Sequence, residues 1–240
     1  MNNYPNKNHN VAIMQPTFLP WVGYFALLDY VDLFILLDDV QFDKRSWQQR
    51  NRIKAAQGAQ WLSVPVLTRG LRNQSIMDAQ VQDANRFCEM ALKSIQHAYG
   101  KAPYYEAVCT AIEPAFTASR HGLCALNIAL IEALAGLLDI STPVVKSSQT
   151  PVSSAKALRL ADLCKNYNAK NYISPPGSRS YLEGDRELSR AGINLLYFQY
   201  DHPIWPQLHG EYLQHISALD LVMNALPHGR DIMRSGMKIL

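Results

Sequence analysis

The sequence predicts an α/β fold built on a largely parallel sheet and carrying a mainly helical insertion. Three observations predict it. Two short apolar runs, VAIM (11–14) and LFILL (33–37), suit strands buried on both faces, and a single helix-length segment separates them. Residues from about 84 to 140 read as consecutive helices, and beyond Pro143 short strands and helices alternate again. One α/β domain over residues 11–240, interrupted by a helical insertion at about 84–140, is more economical than two unrelated domains. Residues 1–10, MNNYPNKNHN, read as a disordered leader and lack the apolar core of a signal peptide.

In order along the chain, VAIM is the first strand. It runs into QPTFLPWVGYF, where Pro16 and Pro20 fix φ and stiffen the turn, so the turn is a candidate site rather than a hinge. VGYFALLDYVDLF carries apolar residues at helical spacing, which starts a helix near Pro20 or Trp21 and leads to the second strand, LFILL. The basic stretch DKRSWQQRNRIKAAQG (43–58) follows, then WLSVPV as a third strand closed by Pro65, and TRGLRNQSIMDAQ as a loop or edge hairpin. Asp83 caps a helix over 84–99 that Gly100 ends. YYEAVCTAIEPAF and GLCALNIALIEALAGLLDI are two further helices. VVKSS is then a strand, SSAKALRLADLCKNYN a helix capped by Ser153 or Ser154, and KNYIS and LLYFQY strands. SALDLVMNALPHG is a helix stopped by Pro227, and DIMRSGMKIL a short docked helix.

With 240 residues and 48% hydrophobic content the chain can bury a core without staples. The four cysteines are scattered with no CxxC pair, which predicts a reduced, cytoplasmic protein, and no apolar run is long enough for a membrane span. A net charge of +3 does not demand a nucleic-acid partner but suits an anionic ligand.

Ligands of parallel sheets sit beyond the carboxyl ends of strands, so the segments after the apolar runs are expected to converge at one edge. After the first run stand Gln15, Thr17 and Tyr24, held by the prolines at the mouth of a cleft. After the second come Asp38 and Asp39, which on a strand face opposite sides; either can bind a metal, hold an acceptor ammonium or take a proton. The plainer reading caps a turn with one and pairs the other with an arginine. Lys44, Arg45, Arg50, Arg52 and Lys54 follow, with Asn51 among them. The cluster suits phosphate or pyrophosphate, unless it is a solvated helix face. After KNYI, the run Ser174, Gly177, Ser178, Arg179 and Tyr181 can form an anion nest or a plain tight turn. Late in the chain, QYDHPIWPQLHGEYLQHISALD offers His202 as a general base or substrate clamp, unless it only caps a loop, with Gln207 and Glu211 as substrate contacts. Its histidine spacing is not HExxH, so no metal site is predicted. No GxSxG elbow, catalytic-cysteine context or dinucleotide fingerprint appears, which disfavours hydrolases of those types and standard dehydrogenases.

The motifs QPTFLPWVGYF, DDVQFDKRSWQQRNR, WLSVP, YISPPGSRSYL, YDHPIWPQLHGEY and ISALDLVMN, in that order, resemble the WbqC-like family of bacterial proteins from about residue 11 to 226. That resemblance implies a role in surface-polysaccharide, including O-antigen, or other biosynthesis. In that setting acyl or aminoacyl groups are transferred to the amine of a nucleotide-linked amino sugar. It names no cofactor. The implied partners are an anionic small molecule such as a nucleotide sugar and an activated donor, an acyl-CoA or aminoacyl-tRNA. Asp38, Asp39 and His202 are then the catalytic candidates. The opening stretch is also similar to the front end of HIGH-type nucleotidylyltransferases, whose Rossmann-like cleft binds ATP with two histidines. Here Pro20 and Val22–Gly23–Tyr24 stand in their places, which disfavours ATP-dependent activation of an acid. A non-catalytic sugar-nucleotide-binding or scaffold module is the alternative outside enzymes.

Overall fold

The computed structural model describes residues 9–238, apart from the side chains of Pro176 and Tyr181; the leader predicted over residues 1–10 lies almost wholly outside the described residues. Five parallel strands form the main sheet: β1 (Asn10–Met14), β2 (Leu33–Leu36), β5 (Val144–Lys146), β6 (Asn171–Ser174) and β7 (Asn194–Tyr197). Their spatial order is β5-β2-β1-β6-β7. Numbered along the chain as 1 to 5, the sheet reads 3-2-1-4-5, the Rossmann arrangement, and the order reverses between β1 and β6. Cover on both faces explains why β1, β2 and β6 read as apolar runs, whereas β5 and β7 are only partly covered. Val11, Ile13, Leu33, Ile35 and Tyr172 pack into a core on one face with α5 (Lys156–Asn166) and α7 (Glu187–Arg190). Ala12, Phe34, Leu36 and Ile173 join the larger core on the other face.

That larger core holds α1 (Val22–Tyr30) and the predicted helical block, α2 (Ala84–Tyr99), α3 (Tyr105–Thr117) and α4 (Leu123–Leu137). It also takes α8 (Leu219–Ala225) and α9 (Gly229–Ser235). Asp83 caps α2 as expected, its side chain accepting from the Arg86 amide. At the amino edge of the sheet an asparagine ladder pins the register: Asn171 donates to Asn10 at 2.8 Å and Asn194 to Asn171 at 3.0 Å.

Four sequence expectations are corrected. WLSVPV does not add a strand to the sheet; β4 (Gly58–Ser63) pairs antiparallel with β3 (Arg50–Ala55) in a separate hairpin, closed by Gly58 at φ +100°. The basic run is therefore neither a helix face nor one cluster. Ser153 and Ser154 do not cap α5, whose N-cap is Ala155; Ser154 instead donates to Asp162 at 2.7 Å. LLYFQY breaks at Phe198, leaving β8 (Gln199–Tyr200) to pair with β9 (Met237–Lys238) at the end of the predicted terminal helix. The segment SPPGSRSYL, read as an anion nest or a tight turn, forms a 3-10 turn and the short α6 (Arg179–Leu182), which contradicts neither.

Candidate functional site

The Pro-rich turn after β1 is held from three directions. Asn51, buried in the hairpin, donates to the Leu19 carbonyl at 2.7 Å and accepts from the Arg52 amide. Asn127, buried in α4, donates to the carbonyls of Pro16 at 2.9 Å and Gln48 at 2.8 Å. The Phe18 amide bonds the Trp47 carbonyl. Leu19 consequently sits at φ +44°, a left-handed conformation that a branched side chain adopts only when its surroundings impose it. The two prolines and these asparagines set the turn, and Trp21 then caps α1 with its indole lying over Gly23.

Two cavities flank this turn beyond the carboxyl end of β1, and Met14, Thr17 and Trp47 line both. The first, about 350 Å³, is completed by Pro20, Trp21, Tyr24, Asn51, Arg52 and His215. The second, about 290 Å³, lies at the β1–β6 reversal, where Gln15, Gln48, Tyr172 and Pro175 contribute. Gln48 donates to the Gln15 side-chain oxygen at 2.9 Å, and the Tyr24 hydroxyl to the Gln15 carbonyl at 3.3 Å. Burial pushes the Tyr24 phenol well above its ordinary value, so it stays a neutral donor.

Strand alternation explains the fate of the basic run. Arg50, Arg52 and Lys54 point to one face of β3 and serve three different ends. Arg50 lies over the Trp61 ring at 4.5 Å. Lys54 is buried and donates to the carbonyls of Gly210 and Glu211, pinning a strap, residues 201–217, across the hairpin. Arg52 lines the first cavity and donates to the His215 carbonyl at 3.0 Å. Its Nε is buried with no hydrogen-bond partner, and it has no carboxylate partner among the described residues. Lys44 lines a separate hollow with Arg72, and Arg45 is exposed with its amide on Gln49.

The acids after β2 do not face opposite sides. Ser147 donates to both, to Asp39 at 2.5 Å and to Asp38 at 3.1 Å. Asp38 is buried and also accepts from the Ser148 amide and hydroxyl, while Asp39 pairs with Arg159 at 2.5 Å. Neither lines either cavity. His202 stands behind the first cavity, stacked on Trp21 at 6.1 Å and Trp205 at 5.2 Å. Its Nε2 accepts the His215 amide at 3.3 Å, which leaves the proton on Nδ1, facing the Pro203 carbonyl and the Tyr212 hydroxyl. Burial lowers the His202 pKa, the Pro203 carbonyl opposes that shift, and neighbouring His215 adds to it.

Of the expected site, Gln15, Thr17, Tyr24, Asn51 and Arg52 come together around the two cavities. Among the described residues the third loop reaches them through Pro175. Arg179 lies over the Tyr197 ring at 4.6 Å, Gly177 is exposed, and the hydroxyls of Ser174 and Ser178 bond each other at 2.5 Å. The Tyr181 side chain lies outside the described residues. Gln207 braces the strap through both backbone groups of Leu213, and Glu211 contributes its carbonyl to Lys54.

Sequence reasoning missed His215 as a site residue. It lines the first cavity at φ +55°, with its amide on His202 and its carbonyl on Arg52. Its ring nitrogens make no hydrogen bond among the described residues. Buried Cys124 and Cys164 have thiols pushed up to about 12 by burial, so neither is a ready nucleophile. No helix among the described residues is long and apolar enough to cross a membrane.

Comparison with known proteins places this geometry in a family. No solved structure matches the chain. An uncharacterized protein of Mycobacterium tuberculosis (strain H37Rv), Rv1507c, is 34% identical over 226 residues, covering 93% of this chain and 97% of the relative. The model of the WbqC-like protein family matches residues 15–232, from the turn that begins at Gln15 through the strap and into α9, and the chain belongs to that family.

Proposed function

We propose that the first cavity binds an anionic small molecule bearing an amine, of the amino-sugar class, and that the protein transfers an acyl or aminoacyl group to that amine. The observation that carries the reading is Arg52: a guanidinium without a carboxylate partner among the described residues, lining a cavity of ligand size together with His215. Arg52 holds the anion, and the neutral hydroxyls of Thr17 and Tyr24 orient the rest. The amine nitrogen attacks the carbonyl carbon of an activated donor, an acyl-CoA or aminoacyl-tRNA. A C–N bond forms, the bond to the thiolate or ribose oxygen breaks, and the ammonium proton passes to the His215 ring while the leaving group takes a proton from water. Asp38, Asp39 and His202 act as positioning residues in this reading. The two acids fix the loop after β5, and His202 fixes the backbone of His215.

The test is a mass-spectrometric transfer assay that crosses acyl-CoAs and charged tRNAs with a panel of nucleotide amino sugars. A product heavier by one acyl group is expected, formed normally by wild type and poorly by His215→Ala, which still binds the acceptor. Acceptor turnover at wild-type rates in both His215→Ala and Arg52→Gln contradicts the reading.

A further inference from the structure

The hairpin and the turn that precedes it carry an aromatic surface that the transfer step does not use. Trp47 and Trp61 are 51% and 46% exposed, yet their rings lie 5.8 Å apart, within the ordinary spacing of an aromatic pair. The β3–β4 register places Trp61 directly opposite Arg52, and Arg50 lies diagonally across from it. Arg50 covers the indole at 4.5 Å and Arg52 approaches it at 5.8 Å. Neither arginine has a carboxylate partner among the described residues. Trp47 lines both cavities, so the pair begins at the wall of the Arg52 cavity and continues out onto the surface.

We propose that Trp47 and Trp61 form a stacking platform for a nucleobase, so that the anion on Arg52 is the diphosphate of a nucleoside diphosphate whose base lies outside the cavity. The indoles are too close to admit a ring between them, so the base stacks on the pair. Stacking on indole beside arginine suits any base, because each presents a π-face, and the cations on the hairpin favour the adjoining phosphates. A bare sugar phosphate would satisfy Arg52 but leave the platform unused. The inference rests on Arg52 as the anion holder and adds the part of the ligand that Arg52 does not touch.

Titration with UDP, dTDP, GDP, CDP and ADP, followed by tryptophan fluorescence and calorimetry, tests it, with inorganic pyrophosphate and glucosamine 6-phosphate as probes lacking a base. At least one nucleoside diphosphate is expected to quench the fluorescence and to bind wild type at least about tenfold more tightly than pyrophosphate does. Trp47→Ala and Trp61→Ala are each expected to weaken that nucleotide by about tenfold, and Trp61→Ala, at a position outside both cavities, to leave pyrophosphate unchanged. Both indoles are half exposed, and a thermal melt of each variant verifies its fold. Pyrophosphate or the sugar phosphate binding as tightly as every nucleotide, or nucleotide affinity surviving both substitutions, overturns the platform while leaving Arg52 as an anion site. Loss of the platform effect together with unchanged binding in Arg52→Gln overturns both readings.

Discussion

Arg52 donates from Nη2 to the carbonyl of His215 at 3.0 Å, across 163 residues of sequence. The Arg52 carbonyl in turn accepts the Ser217 amide at 2.9 Å. The residue proposed to hold the anion thus also holds the strap that carries the proposed proton acceptor. Binding and positioning are coupled through one side chain.

Arg52→Gln removes the charge and the fork. Charge-assisted hydrogen bonds contribute about 1.5–3 kcal/mol, so a nucleotide-sugar ligand found by thermal-shift screening should weaken roughly 10- to 150-fold by calorimetry. Arg52→Lys should recover only part of that loss, because an ammonium cannot bond the His215 carbonyl and grip two ligand oxygens in one plane. Equal affinity in all three proteins would remove Arg52 from the site.

A Cβ at Gly23 would stand 2.2 Å from the Trp21 ring. Gly23→Ala must therefore displace an indole that lines the first cavity and stacks on His202. We expect a stability loss of about 1–3 kcal/mol in urea, with weaker ligand binding alongside it. A variant as stable as wild type with unaltered affinity contradicts this packing.

Asp38 and Asp39 should register in stability rather than in the chemical step. Asp38→Ala removes the acceptor of the half-buried Ser148 amide and hydroxyl and leaves Ser147 only Asp39 to donate to, and should cost about 1–3 kcal/mol. Asp39→Asn breaks the partly buried pair with Arg159 and should cost about 1–2 kcal/mol. Urea melts of both, set beside kcat, decide the matter: full stability with abolished turnover would return these acids to the catalytic role that the sequence suggested.

β1, β2 and β6 were legible because they are buried on both faces, and the helical block because its apolar residues recur at helical spacing. The hairpin was not. RNRIK alternates charge with smaller or apolar side chains, the period-two mark of a strand, but its charge density reads equally well as a solvated helix face. Asn51 could be flagged within its motif. Asn127 could not, since its partners Pro16 and Gln48 are 111 and 79 residues away. His215 was hidden for the same reason. Its place depends on the strap folding back onto β3 through Lys54 and Arg52, contacts that no local spacing announces.

His202 links the strap to pH. Burial lowers its folded-state pKa, so the unfolded chain takes up this proton at a higher pH than the folded protein does. Its contribution is present above the unfolded value of about 6.5 and is lost as pH falls from there toward the lower folded pKa. Protonating Nε2 also removes the acceptor of the His215 amide. Stability and ligand affinity should therefore both fall as pH drops below about 6.5, and His202→Phe should flatten that part of the profile. A wild-type slope identical to that of His202→Phe contradicts the assignment.

The most direct measurement is a crystal structure of the protein with a nucleotide sugar that raises its melting temperature. The ligand's anionic group is expected within hydrogen-bond reach of Arg52, in the cavity bounded by Trp21, Trp47 and His215, with its amine toward the His215 ring. A ligand seated instead beside Lys44 and Arg72, with the Arg52 cavity empty, would contradict it.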